Sequence, residues 1–204
     1  MDKIGVFGGT FNPVHKGHET AAIDFYNTLK LDKLLVIPSN IPPHKQIDSR
    51  ITAEERFFMC ALCFEKYKDY FIKVSDLEIK KNGVSYTFDT LTELKKEYVN
   101  EKLYFLLGSD MFLYLENWYE YKNLIKLCAF AVVLRAGHEK KKVMEYREKL
   151  VKTGVKIELL ETEPFEVSST ELREQIKDNN YYNLEKYISG EVLTYIKEKN
   201  IYVL

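Results

Sequence analysis

Short runs of Val, Ile, Leu and Phe alternate with longer amphipathic stretches along the whole chain. The apolar runs fall at residues 3–8, 33–38, 71–74, 103–107, 129–134 and 155–160. Helical periodicity fills the intervals at residues 17–29, 52–66, 88–99, 112–127 and 139–152, and two further helices at 169–177 and 184–199 close the chain. Strands separated by helices of about 10 to 15 residues cross over and run parallel, so the alternation predicts βαβ units. The expected fold is α/β, a mostly parallel sheet with helices on both faces. Two capping boxes, Thr52-x-x-Glu55 and Ser168-x-x-Glu171, fix helix starts. At about 150 residues per domain, a chain of 204 residues is expected to form a single domain over 1–204, with a C-terminal helical part at about 168–204.

Composition removes several functional classes. Lys plus Arg number 30 and Asp plus Glu 31, for a net charge of −1 and a pI near 6.5. That balance supplies no basic field for nucleic acid or an anionic membrane. The lysine run 140–142 is offset by Glu139, Glu145 and Glu148 and reads as a solvated helix face. The longest apolar run, residues 127–134, has eight residues, against the ~20 needed to span a bilayer. The chain enters its first strand directly after Met-Asp-Lys, which leaves no room for a signal peptide and predicts a cytoplasmic protein. Cys60, Cys63 and Cys128 make a poor disulfide framework. The C-x-x-C pair lies in an apolar helical stretch with no further ligands for zinc, and is expected in the core.

In a Rossmann-like, open α/β sheet, ligands bind beyond the carboxyl ends of the strands, where strand order reverses. Four of the nine glycines fall in the first 17 residues, within Ile4-Gly-Val-Phe-Gly-Gly-Thr-Phe-Asn-Pro-Val-His-Lys-Gly-His18. A strand that ends in Gly8-Gly9, a turn through Asn12-Pro13 and a helix starting near Gly17 describe a phosphate cradle. Glycine permits unusual φ and leaves backbone N–H groups approachable, and the helix N-terminus adds unpaired donors and a positive dipole end. Neither G-x-G-x-x-G nor G-x-x-x-x-G-K-[ST] occurs. Instead His15 and His18 stand three apart at the helix start, where both imidazoles can donate to the same phosphoryl oxygens. Exposed histidines capping a turn are the alternative; a zinc site lacks further ligands nearby.

Later segments add functional groups. Val167-Ser-Ser-Thr-Glu-Leu-Arg173 is a capped helix start with hydroxyls and one guanidinium, suited to polyphosphate oxygens or to an ordinary surface helix. Residues 38–50 carry three of the five prolines and form a long loop after a strand, a candidate substrate lid containing Pro42-Pro-His44-Lys45. Ser85-Tyr86-Thr87-Phe-Asp-Thr-Leu91 opens a helix whose N–H groups can receive a carboxylate, and Gly108-Ser-Asp110 follows a strand. Trp118, the only tryptophan, is core by default.

Gly8-Gly9-Thr10-Phe11-Asn12-Pro13-Val14-His15-x-Gly17-His18 resembles the GGTFDP-x-H-x-GH signature of the H-x-G-H nucleotidyltransferase superfamily. Within it the chain resembles the bacterial nicotinate-nucleotide adenylyltransferases over nearly its whole length. Residues 167–173 are similar to that family's ISST-x-x-R, 42–45 to its PPHK, 85–91 to its SYT-x-DTL, 108–110 to its G-x-D, and Trp118-Tyr119 to its WY pair. Arg135-Ala-Gly departs from the family's R-P-G.

The resemblance implies AMP transfer from ATP to nicotinate mononucleotide, giving nicotinate adenine dinucleotide and pyrophosphate. His15, His18 and Arg173 would be catalytic. Gly8, Gly9, Thr10, Phe11, Gly17, Ser169 and Thr170 would hold ATP. His44, Lys45, Tyr86, Thr87, Gly108, Asp110, Trp118, Tyr119 and Arg135 would hold the acceptor, with Trp118 and Tyr119 stacking on the pyridine ring. No acidic cluster marks a protein-held metal site, so Mg²⁺ is expected to arrive with ATP. The sequence leaves open a nicotinamide mononucleotide or phosphopantetheine acceptor, a non-catalytic nucleotide sensor, and assembly as a homo-oligomer.

Overall fold

Every apolar run predicted from the sequence is a strand. The computed structural model describes residues 2–43, 51–134, 140–161 and 167–203. Among them lie β1 (Lys3–Gly9), β2 (Lys33–Pro38), β3 (Ile72–Val74), β4 (Lys102–Gly108), β5 (Ala129–Val133) and β6 (Ile157–Leu160). They form one sheet in the order β3-β2-β1-β4-β5-β6, and each neighbouring pair is parallel. The chain steps outward from β1 to β3, then returns to the other side of β1 with β4. The order therefore reverses between β1 and β4, the Rossmann-like arrangement that opens a crevice at their carboxyl ends.

Side chains on a strand alternate between faces, and here both faces are buried. Leu34 and Val36 of β2, Leu106 of β4 and Ala131 of β5 join one core cluster. Leu35 and Ile37, Leu103 and Phe105, and Phe130 and Val132 join the other. A strand covered on both sides reads as a continuous apolar run, which is why these strands were visible in the sequence.

The helices are α1 (Lys16–Leu29), α2 (Ala53–Phe64), α3 (Leu77–Lys81), α4 (Thr87–Glu97), α5 (Ser109–Phe112), α6 (Tyr121–Leu127), α7 (Lys140–Lys152), α8 (Ser169–Lys177) and α9 (Gly190–Glu198). The first core cluster takes Phe25 of α1, Met59 and Cys63 of α2, Leu172 of α8 and Ile196 of α9. The second takes Leu91 of α4, Leu124 of α6 and Val143 of α7. Cys60, Cys63 and Cys128 are buried free thiols. Both capping boxes form: the Thr52 and Ser168 hydroxyls accept from the N–H groups of Glu55 and Glu171. Among the described residues no helix is long and apolar enough to cross a membrane.

Two expected helices are broken. Residues 112–127 divide into the end of α5, a 3₁₀ turn at Leu115–Asn117, and α6. Trp118 is extended and Glu120 is left-handed at φ 54°, which lets Trp118 turn into the core while Tyr119 turns outward. The stretch 184–199 becomes a 3₁₀ turn at Leu184–Lys186 and then α9, capped by Ser189. The five-residue α3 is too short to show a helical period and was not expected.

Candidate active site

Gly8 and Gly9 end β1 as the sequence suggests, but neither takes a left-handed φ; the left-handed residue in this segment is Phe11, at φ 49°. What requires glycine is space. A Cβ on Gly8 would stand 3.2 Å from the Phe105 ring, and one on Gly9 would stand 2.9 Å from the Phe11 ring. Phe11 is only 2% exposed, and its ring meets His18 edge to face at 5.1 Å. It supports the imidazole from the core.

His15 is extended at the N-cap of α1 and 8% exposed, so it is no solvent-facing cap. Its ring centroid lies 3.7 Å from that of His18, with the planes 33° apart. The His15 main-chain N–H donates to Nδ1 of His18 at 3.3 Å. An imidazole nitrogen that accepts carries no proton, so the neutral His18 ring bears its hydrogen on Nε2. Gly17 is half-buried in the first turn between them. Glu19, next in the chain, is buried; it accepts from the Tyr67 hydroxyl and pairs with Lys66 at 2.6 Å. That anchors the α1 start from behind and sets a carboxylate at the positive end of the helix.

The C-terminal part of the chain comes to the same turn. Ser169 Oγ donates to the Pro13 carbonyl at 3.0 Å, and Arg173 Nη1 donates to the Asn12 carbonyl at 2.7 Å. Nη2 of Arg173 donates to the exposed Thr170 hydroxyl at 3.2 Å. Tyr202 donates to Asn12 Oδ1 at 2.6 Å; burial pushes its phenol well up, so it stays a donor. Beside these contacts opens a cleft of about 320 Å³, lined in part by Thr170, Arg173, Lys177, Lys199 and Tyr202. The sequence pointed to Ser169, Thr170 and Arg173, which the fold brings to this turn, but not to Tyr202, which carries no motif.

On the β4 side, Gly108 ends the strand as the N-cap of α5, and Asp110 is exposed in that helix. Trp118 is half-buried, edge-on to Phe105 at 5.9 Å, and among the described residues its Nε1 has no hydrogen-bond partner. The same Phe105 ring fills the space that a Cβ on Gly8 would need, so one aromatic side chain lies between the cradle and Trp118. Tyr119 is exposed and packs on Tyr86 at 4.5 Å, joining the two segments expected at the pyridine ring. Tyr86 caps α4, and Thr87 is its first residue. His44, Lys45 and Arg135 lie outside the described residues. Among those described, no three His, Cys, Asp or Glu side chains gather where they could hold a metal ion.

Residues 6–175 match the Cytidylyltransferase-like family, a span that runs from β1 through the paired imidazoles to Arg173. The chain belongs to that family and is a nucleotidyltransferase. It is 35% identical over 202 residues to the nicotinate-nucleotide adenylyltransferase of Bacillus subtilis, with 99% of each chain covered, and its place is in that branch. Nicotinic acid mononucleotide adenylyltransferase of Plasmodium falciparum, solved in complex with NaAD, shares the fold. Its TM-score is 0.81 at 24% identity, covering 99% of this chain and 98% of the other. The same enzyme complexed with APC gives a TM-score of 0.78 at 24% identity, with the same coverage.

Proposed function

We propose that this chain transfers the adenylyl group of ATP to nicotinate mononucleotide, forming nicotinate adenine dinucleotide and pyrophosphate. The observation that carries the reading is Arg173 from α8 bonded to the carbonyl of Asn12, three residues before His15. It is joined by the B. subtilis enzyme's name over 99% of both chains.

The acceptor phosphate, with a second pKa of about 6, is largely dianionic near neutrality and needs no general base. Its oxygen attacks the α-phosphorus of ATP, a new P–O bond forms, and the bond to the bridging oxygen breaks with pyrophosphate leaving. The protein's task is to bring two anions together and stabilise the charge that builds on the α-phosphoryl oxygens. His18 is suited to this, because its Nδ1 accepts from the His15 N–H, which makes Nε2 the ring's donor. His15 donates beside it, and Arg173 balances charge on the departing side. Gly8, Gly9, Thr10, Phe11, Gly17, Ser169 and Thr170 form the ATP side. Tyr86, Thr87, Gly108, Asp110, Trp118 and Tyr119 form the acceptor side, with His44, Lys45 and Arg135 completing it. In this reading Mg²⁺ comes bound to the ATP phosphates, as part of the substrate. All of this lies in one nucleotidyltransferase domain over residues 1–204.

The deciding experiment is pyrophosphate release from ATP with nicotinate mononucleotide, nicotinamide mononucleotide and phosphopantetheine each offered alone. Release with the first in clear excess over the others is the expected result. Equal release with the amide would remove the acid preference, and no release with any acceptor would leave a nucleotide-binding protein without this chemistry.

A further inference from the structure

Arg56, on α2, is 1% exposed, and no motif in the sequence pointed to it. Its Nη1 donates to the Thr10 carbonyl at 2.8 Å and its Nη2 to the Asn40 carbonyl at 2.8 Å. Nε is buried and has no hydrogen-bond partner among the described residues. A buried guanidinium is costly to desolvate, and an apolar side chain of similar volume packs a core at lower cost. Burial lowers the Arg56 pKa, as expected of a cation in such a place. A fold that needed only packing has no use for this residue.

The two carbonyls identify what it does. Thr10 follows the last residue of β1 and leads into the turn that ends at His15. Asn40 follows β2, and its contacts run onward to the other side of the site. The Asn40 N–H donates to Ser85 Oγ at 2.9 Å, and its Nδ2 donates to the Gly83 carbonyl at 3.2 Å. The Ser85 N–H donates to the Ile41 carbonyl at 2.8 Å, and Ile41 pairs with Val84 in a parallel bridge. Ser85 directly precedes Tyr86 and Thr87. An unbroken path of hydrogen bonds therefore runs from the phosphate cradle, through one guanidinium, to the segment that carries the Tyr86–Tyr119 pair.

We infer that Arg56 is a positioning residue that sets the spacing between the ATP cradle at residues 8–18 and the acceptor segment at residues 85–119. The inference rests on the adenylyl-transfer reading. Attack on the α-phosphorus needs the two reacting atoms within about 3–3.5 Å, and a displacement of about 1 Å costs on the order of 10²-fold in rate. Each substrate is held by its own side of the crevice. A loss of spacing should therefore appear in turnover and leave each separate binding step nearly intact.

The test compares wild type with Arg56→Lys, Arg56→Met, Ser85→Ala and the Arg56→Lys/Ser85→Ala double variant. In Arg56→Met, kcat should fall by about 10²-fold, and in Arg56→Lys, whose ammonium cannot span both carbonyls, by about tenfold. The Kd of ATP and that of nicotinate mononucleotide, each measured alone by calorimetry, should change by less than about threefold. Because both sites lie on one path, the double variant should lose no more than Arg56→Lys alone. If Arg56→Met does not fold, Arg56→Lys and the double variant carry the test. The assignment is overturned if folded Arg56→Lys turns over like wild type. It is also overturned if lost activity equals the lost ATP-binding stoichiometry, or if the two losses add in the double variant. Wild-type turnover with unaffected variants sinks the role of Arg56 alone, whereas no turnover in wild type sinks the reaction as well.

Discussion

Arg173 Nη1 donates to the main-chain carbonyl of Asn12 at 2.7 Å across 161 positions of sequence. Leu172 and Ile176 of α8 share a core cluster with Phe7 of β1, which holds the helix that presents the guanidinium. Arg173→Lys cannot make the forked contact to Asn12 and Thr170 at once. It should lower kcat, and Arg173→Ala should cost about 10²-fold or more, read from steady-state pyrophosphate release. Full activity in Arg173→Ala would remove the residue from the chemistry.

His18→Ala deletes the donor whose tautomer the His15 N–H fixes. We expect kcat to drop by ~10²-fold or more, as loss of one preorganised donor does. Single-turnover measurements at saturating ATP would separate this from weakened binding. Near-normal turnover would discard the assignment.

Trp118→Ala should raise KM for the mononucleotide far more than KM for ATP. The half-buried ring rests on Phe105, and among the described residues its Nε1 has no hydrogen-bond partner, although a buried Trp N–H ordinarily finds one. Steady-state kinetics with each substrate varied in turn provide the check. Equal rises would mark a purely structural tryptophan.

Glu78 gives a prediction in pH. Burial raises its carboxyl above the ordinary value, while hydrogen bonds from Thr90 and Ser85 work against the rise; the Thr90 hydroxyl donates at 2.6 Å. A carboxyl raised on folding contributes stability that is complete below its unfolded pKa of about 4.3 and is lost as pH climbs through the folded value. Glu78→Gln does not titrate. Its stability relative to wild type should therefore grow from pH 4 upward and then level off, as followed by thermal unfolding across that range. A difference that stays flat or shrinks with rising pH would contradict this.

The thiols should be silent. Burial pushes Cys63 up to about 12 and holds Cys60 and Cys128 well above the usual range. Only the thiolate reacts. Iodoacetamide at pH 8 should leave the native mass unchanged and add three adducts after denaturation; labelling of the folded protein would show a thiol reachable from solvent.

The sheet was legible because both faces of its central strands are covered, so β1, β2, β4 and β5 announced themselves as apolar runs, while the edge strands β3 and β6 expose Lys73 and Glu158. The helix starts at Thr52 and Ser168 were legible because a capping box is a local device. Residues 112–127 misled for the same local reason: they carry helical periodicity, and only the tertiary demand that Trp118 meet Phe105 and Tyr119 meet Tyr86 breaks the helix. The glycine pair was recognised for its place, but the reason for it, ring contact with Phe105 and Phe11, depends on packing the sequence does not display. Arg56 and Tyr202 escaped notice altogether. Each is an ordinary residue in its own stretch, and each matters only through partners 46, 16 and 190 positions away.

The bond from Tyr202 to Asn12 closes a loop of 190 positions onto the turn before His15. Contacts of such long sequence separation form late, since the intervening chain must first be gathered in. During refolding, strand pairing should be recovered ahead of turnover, and the turn at Asn12 should be the last region to set.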